Sequence, residues 1–220
     1  MMKSVIFDMD GTLFQTDKIL ERSLEDVFNY LAYVNKWEGA MPIDAFREIM
    51  GVPLPVVWET LLPNYSIEER EQINNYFQER LIENIKSGKG ALYPNVKDLF
   101  EYLKSEGFSI FIASNGVPPY LNAIVQYYNL DNWVSETFSI EQIKSYSKSD
   151  LVKNILTKYG IQEAAVVGDR LSDIKAAKDN GLTAVGCSFD FAKEEELSQA
   201  DFVINDLIEL KGVFANILIR

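Results

Sequence analysis

The feature that most constrains this chain is where its apolar pattern changes period. Residues 4–7, 109–113, 164–167, 183–186 and 202–204 are short runs in which nearly every side chain is apolar. Near-continuous apolarity over four or five residues suits strands covered on both faces, as in a parallel sheet. Between the runs lie stretches of helical spacing at 95–106, 117–128, 149–159 and 172–180, with Gly160 and Gly181 standing where helices would close. This alternation predicts βαβ units and an α/β fold with a doubly wound, Rossmann-like, mostly parallel sheet.

The stretch 15–90 breaks the alternation. It offers only helical spacing, first at Leu20, Leu24, Val27, Phe28 and Leu31, then in a long pattern from 67 to 85. Pro42, Pro53, Pro55 and Pro63 punctuate it as helix boundaries. The expected organisation is an all-helical cap domain over 15–90 set into a core of 1–14 and 91–220. Gly88-Lys89-Gly90 and the region near Gln15 would be the linkers of a lid-like arrangement that opens and closes.

Composition narrows the function. The 220 residues include 21 basic and 33 acidic side chains, a net charge of −12, with no histidine and a single cysteine, Cys187. Without histidine there is no Ser-His-Asp triad, no Cys-His dyad and no His-ligated zinc. A lone cysteine builds no disulfide framework within the chain. Strong acidity disfavours a nucleic-acid polymer or an anionic membrane surface as partner. The start reaches Asp8 after too few apolar residues for a signal peptide, and the charge-free stretch 107–130 is interrupted by Asn115, Gly116, Pro118, Pro119, Asn122 and Gln126. A soluble, cytoplasmic protein is expected.

Chemistry concentrates at four places. Asp8-Met9-Asp10-Gly11-Thr12 follows the first run, and two carboxylates two residues apart at a strand end point roughly the same way. Held that close, one is protonated or both require a cation. With each residue near its average usage, chance would supply this pattern on the order of 0.002 times in such a chain. Gly168-Asp169 ends another run, and Asp173 falls in the first turn of the next helix. An aspartate there simply suits the helix dipole, but Asp169 at a strand end is harder to dismiss, and the pair could face one metal. Ser114-Asn115-Gly116 makes an anion-binding corner or an ordinary helix cap. Lys148, at a helix entry, reads alone as a solvated residue. All four lie on the carboxyl side of the strands, where open parallel sheets bind ligands. An all-oxygen acidic cluster favours a hard cation such as Mg²⁺ over zinc. Mg²⁺ and Lys148 would offset the four aspartates enough to admit a phosphate dianion.

Together, Asp8-Met9-Asp10-Gly11-Thr12, Ser114-Asn115, Lys148 and Gly168-Asp169 with Asp173 resemble the four motifs of the haloacid dehalogenase superfamily. The helical insert resembles the alpha-helical cap of its subfamily I, the group of phosphoglycolate phosphatase-like and β-phosphoglucomutase-like enzymes. Lys148-Ser149 departs from the frequent Lys-Pro, which leaves Lys144 as a rival for the lysine role. The resemblance implies a phosphatase acting on a small phosphorylated metabolite: a nucleotide, a sugar phosphate or phosphoglycolate. It implies Asp8 as nucleophile and Asp10 as acid and base, with Ser114 and Lys148 completing the catalytic set. Thr12 would brace the loop and, with Asp8, Ser114, Asn115 and Lys148, form the phosphate site. Mg²⁺ would sit on Asp8, the Asp10 backbone carbonyl, Asp169 and Asp173. Asp10 argues against a dehalogenase, which has no alkoxide to protonate. A phosphomutase, a phospho-accepting signalling module and a non-catalytic binder are the alternatives, and the signalling module has no use for a helical lid. Trp37, Trp58, Tyr65, Tyr76 and Phe77 read as cap core before they read as a stacking platform. Arg47 could reach a second anionic group, though a helix-surface charge is its default. With 8 basic and 13 acidic residues over 15–90, the cap offers no basic surface for a large polyanion.

Overall fold

A computed structural model describes residues 4–49, 54–190 and 192–218 of the chain. Six parallel strands form one sheet: β1 (Ser4–Phe7), β2 (Ser109–Ser114), β3 (Val134–Ser139), β4 (Ala165–Gly168), β5 (Thr183–Cys187) and β6 (Phe202–Ile204). Their order across the sheet is β3-β2-β1-β4-β5-β6, so the chain first winds one way from β1 and then crosses back to continue from β4. Helices α5 (Val96–Ser105), α6 (Pro118–Tyr128), α7 (Lys148–Tyr159), α8 (Leu171–Asp179), α9 (Glu194–Leu197) and α10 (Leu210–Leu218) connect or follow the strands. This is the doubly wound α/β architecture that the apolar runs predict.

Both faces of the sheet are covered, which is why its strands carry no polar alternation. Val5, Ile6 and Phe7 are fully buried. Ile6 joins a core with Phe111 and Val166 of the neighbouring strands, Leu151, Val152 and Ile155 of α7, and Ile174 of α8. Phe7 projects from the opposite face, its ring 5.3 Å from that of Phe100 on α5. Gly160 closes α7 in the left-handed region, with φ of 64°.

The chain divides into two compact units, Met1–Thr16 with Ala91–Arg220, and Asp17–Gly90. The second unit is all-helical: α1 (Asp17–Tyr33), α2 (Ile43–Glu48), α3 (Leu54–Leu61) and α4 (Ile67–Lys86). The prolines act as breakers: Pro42 precedes α2, Pro55 stands in the first turn of α3 and Pro63 follows that helix. Pro53 lies outside the described residues. Helix α1 buries Ile19, Leu24, Val27, Phe28 and Leu31, and α4 buries Ile73, Phe77, Leu81 and Ile85. Within this apolar pairing Asn84 donates to Ser23 Oγ at 3.1 Å and Asp26 Oδ2 at 2.8 Å, and accepts from Lys89 Nζ at 2.8 Å. That satisfies an amide that would otherwise be costly to bury.

The cap aromatics pack on each other. Trp58 meets Phe77 edge-on at 5.3 Å while its indole nitrogen donates to Asn74. Trp37 meets Phe28 at 4.7 Å, Tyr76 meets Tyr30 at 4.7 Å, and the Tyr65 hydroxyl donates to the Lys36 carbonyl. Arg47 is not an idle surface charge. Its guanidinium forks onto Glu21, with Nε–Oε1 of 2.6 Å and Nη2–Oε2 of 3.0 Å, a pairing within the cap that uses the fork a second anion would need.

Ser66 starts α4 with a reciprocal cap: its Oγ accepts from the Glu69 amide at 3.2 Å while its own amide donates to Glu69 Oε2 at 3.0 Å. Ser66→Ala removes one arm. It should cost about 1 kcal/mol of stability, read as a lowered midpoint in urea; an unmoved midpoint would show that the helix start is held elsewhere.

Candidate active site

The loop after β1 is built around a buried methionine. Leu13 and Phe14 amides both donate to the Met9 carbonyl at 2.9 Å, and the Gly11 amide donates to the Phe14 carbonyl at 3.0 Å. Gly11 sits at φ +74°, and a Cβ there would lie 2.5 Å from Asp169 Oδ2. Glycine is therefore needed twice over, for the left-handed turn and for the approach of that carboxylate. The Asp8 amide donates to the Val167 carbonyl at 2.8 Å, so the pairing of β1 with β4 runs on to the aspartate itself. The outgoing and returning chains are tied too, by Gln15 to Ala91 and by Tyr93 to Leu13, each at 2.9 Å.

Asp8, Asp169 and Asp173, all buried, each direct a carboxylate oxygen to within 4.8 Å of the others. Lys148, from the first turn of α7, lies between them; its ammonium is 2.7 Å from Asp8 Oδ1 and also pairs with Asp173 Oδ1. Lys148 is 6 % exposed, whereas Lys144 is exposed on the surface. Asp173 serves two structures at once, because its Oδ2 accepts from the Arg170 amide at 3.0 Å and so caps α8. Gly168 makes room for it: a Cβ there would fall 2.2 Å from Asp173 Cγ. Thr12, fully buried, points its hydroxyl at Asp169 Oδ1 across 3.4 Å.

Ser114 ends β2 fully buried; its Oγ accepts from the Gly116 amide at 3.0 Å and stands 3.4 Å from Asp10 Oδ2. Asn115 is exposed. The Asp10 carboxylate is not among the three that converge. Its Oδ1 instead accepts from Tyr120 Oη at 2.6 Å and Thr16 Oγ1 at 2.7 Å.

Two neighbours are absent from the sequence reading of the site. Tyr120 follows Ser114 by six residues, and nothing in its spacing separates it from an ordinary core tyrosine. Arg170 reads as a surface charge from sequence, yet its Nε lies 3.3 Å from Asp169 Oδ2; its position beside Asp169 was the available signal.

Burial raises the Asp8 pKa well above its ordinary value; Lys148 opposes this, and Asp173, Asp169 and Asp10 add to it. Burial likewise raises Asp169, with the Asp173 charge, to about 6. Burial works to lower Lys148, but Asp173 and Asp8 outweigh it and hold the ammonium above its ordinary value. Burial, then the Asp10 charge, pushes the Tyr120 phenol well up, so it remains a donor. The Cys187 thiol is also pushed well up by burial and the three aspartates.

Among the described residues, Lys148 and Arg170 are the cations paired with the three carboxylates, which leaves negative charge over. Buried carboxylate oxygens this close fit a hard divalent cation. Among the described residues, no helix is long and apolar enough to cross a membrane.

A protonated Asp169 cannot ligate, so proton and cation compete for it. With its pKa at about 6, Asp169 is increasingly protonated below that pH, and a cation it helps to hold would bind less well there. Mg²⁺ against chelator should raise the melting temperature clearly at about pH 7.5 and much less at about pH 5. Equal shifts at both would remove Asp169 from the ligand set.

The family model for haloacid dehalogenase-like hydrolases matches residues 2–181. A 5'-nucleotidase of Pseudomonas aeruginosa is 22% identical over 222 residues, covering 96% of this chain and 94% of that protein. A phosphoglycolate phosphatase of Mannheimia succiniciproducens is 26% identical over 222 residues, covering 94% and 96%. The crystal structure of CbbY from Rhodobacter sphaeroides in complex with phosphate superposes with a TM-score of 0.78 at 20% identity, covering 96% of each chain. With the family match spanning the first motif to the last, the chain belongs to the haloacid dehalogenase-like hydrolases.

Proposed function

We propose that the protein is a Mg²⁺-dependent phosphatase that hydrolyses a small phosphomonoester metabolite through an aspartyl-phosphate on Asp8. The observation that carries this reading is the Lys148 ammonium set between Asp8 and Asp173, with Asp169 alongside, at the carboxyl ends of β1 and β4.

A buried Asp8 must be ionised to act as a nucleophile, and the Lys148 contact at 2.7 Å favours that form. One Asp8 oxygen attacks phosphorus while the bond to the leaving alkoxide breaks, and Asp10 gives that oxygen its proton. Water then attacks phosphorus while the bond to the Asp8 oxygen breaks, Asp10 takes a proton from that water, and inorganic phosphate and the Asp8 carboxylate are released, so acid and base steps balance over a turnover. The Ser114 hydroxyl, neighbouring backbone amides and Lys148 bind phosphoryl oxygens as charge shifts between them, with Asn115 and Thr12 completing the pocket. Asp8, Asp169, Asp173 and the Asp10 backbone carbonyl would hold Mg²⁺, which when bound supplies positive charge to the phosphoryl group. The helical unit Asp17–Gly90, two residues shorter at its start than the 15–90 read from sequence, serves as the cap and selects the ester.

Relatives named as a 5'-nucleotidase and a phosphoglycolate phosphatase support small esters such as nucleoside monophosphates, sugar phosphates or phosphoglycolate. The test is phosphate release from nucleoside 5'-monophosphates, 2-phosphoglycolate, glucose 6-phosphate and 4-nitrophenyl phosphate, with Mg²⁺ and with chelator. Release should require Mg²⁺. Asp8→Asn should abolish it, and Asp10→Asn should slow hydrolysis of alkyl esters by about 10²–10⁴-fold. Normal turnover in Asp8→Asn would sink the covalent mechanism.

A further inference from the structure

Asp10 holds its two oxygens in unlike surroundings. Oδ1 faces two hydroxyl groups, Tyr120 Oη at 2.6 Å and Thr16 Oγ1 at 2.7 Å, the latter the shorter of that hydroxyl's two donor contacts, since the Phe14 carbonyl lies at 3.2 Å. Oδ2 faces only the longer contact from Ser114 Oγ at 3.4 Å among the bonds made by described residues. A carboxylate oxygen offers two in-plane lone pairs, so two donors fill Oδ1. A proton placed there would have to displace one of them; Oδ2 has the free capacity.

The Tyr120 hydroxyl is built into place. Pro118 stands at the start of α6 and the Tyr120 amide donates to the Val117 carbonyl at 3.1 Å. Gly116 leaves room for the ring, since a Cβ there would lie 3.1 Å from Tyr120 Cδ1. Phe14 meets the ring edge-on at 6.4 Å, and Tyr120 is 5 % exposed. With ring and backbone both fixed, the hydroxyl has little freedom to leave Asp10.

We propose that Tyr120 is a positioning residue of the hydrolysis: with Thr16 it saturates Asp10 Oδ1 and so makes Oδ2 the oxygen that carries the proton. This rests on the reading of Asp10 as acid and base. In the first step Oδ2–H passes its proton to the ester oxygen as the bond from phosphorus to that oxygen breaks. In the second, Oδ2 accepts a proton from the water whose oxygen bonds to phosphorus as the bond from phosphorus to the Asp8 oxygen breaks and frees that carboxylate. The competing view is that Tyr120 merely satisfies a buried phenol.

Leaving-group dependence separates the two. An alkyl ester needs its oxygen protonated as it departs, whereas 4-nitrophenolate leaves readily without an acid. In Tyr120→Phe, which keeps the ring, kcat/KM should fall about tenfold more for the fastest alkyl ester of the panel than for 4-nitrophenyl phosphate. Inhibition by inorganic phosphate should stay near the native level. Thr16→Val removes the other donor and should show the same bias, an independent arm if the first variant does not fold. Equal losses on both esters, or no loss on either, would overturn the role of Tyr120. Native activity on the alkyl ester in Asp10→Asn would instead overturn the assignment of Asp10 on which it rests.

Discussion

Three carboxylates within 4.8 Å of one another in a buried corner repel, and each has lost most of the water that would stabilise its charge. Much of the surrounding structure answers that cost. Lys148 is drawn out of solvent to pair with two of them, although an unpaired lysine so buried would tend to give up its proton. Thr12 and Arg170 attend to Asp169, and the amide of Arg170 attends to Asp173. The glycines at 11 and 168 bring the chain closer to these carboxylates than any other residue allows. Even so, burial first and the neighbouring carboxylates second keep Asp8 and Asp169 above their ordinary values. A divalent cation held by these oxygens would offset the charge that Lys148 and Arg170 leave over.

The sheet order makes this corner possible. β1 and β4 are neighbours because the chain reverses its winding between them, and at such a reversal the connecting loops diverge and leave a crevice. Asp8 and Asp169 are thus next to each other despite being far apart in sequence, and the register pairs Phe7 with Val167, the residues just before each turn. Ser114 arrives from β2 on the other side of β1. The arrangement follows from topology, before any side chain contributes chemistry.

What the sequence made legible tracks how local the signal is. Strands buried on both faces announce themselves as apolar runs, so β1, β2, β4, β5 and β6 were readable within a residue or two. β3 was not, because as an edge strand it reads Val-Ser-Glu-Thr-Phe-Ser, with its central residues only partly buried. The terminal helix α10 and the short α9 also went unread, the latter an acidic turn with one buried leucine. In the site, Asp8, Ser114 and Asp169 stand out at strand ends, whereas Lys148 and Asp173 read alone as a solvated residue and a helix-start aspartate and gain weight only from the family resemblance; the structure groups Asp8, Lys148, Asp169 and Asp173 and sets Ser114 against Asp10. Tyr120 and Arg170 were missed for a different reason. Their importance lies in which carboxylate oxygen each touches, a property of rotamers and helix direction that residue type does not encode.

The separation of Asp10 from the other carboxylates deserves its physical reason. Asp8 and Asp10 leave the same strand end two residues apart, and alternation alone would send both to the cation. The turn at Gly11 instead brings Phe14 back beside Asp10, and Thr16 and Tyr120 hold its carboxylate by hydroxyl groups rather than by charge. A carboxyl group held by neutral donors can change protonation during turnover without breaking an ion pair. One bound to Lys148 would lose a buried salt bridge each time it took up a proton. The difference between a charge-paired Asp8 and a hydroxyl-paired Asp10 is therefore set by which partners the fold supplies to two otherwise identical side chains.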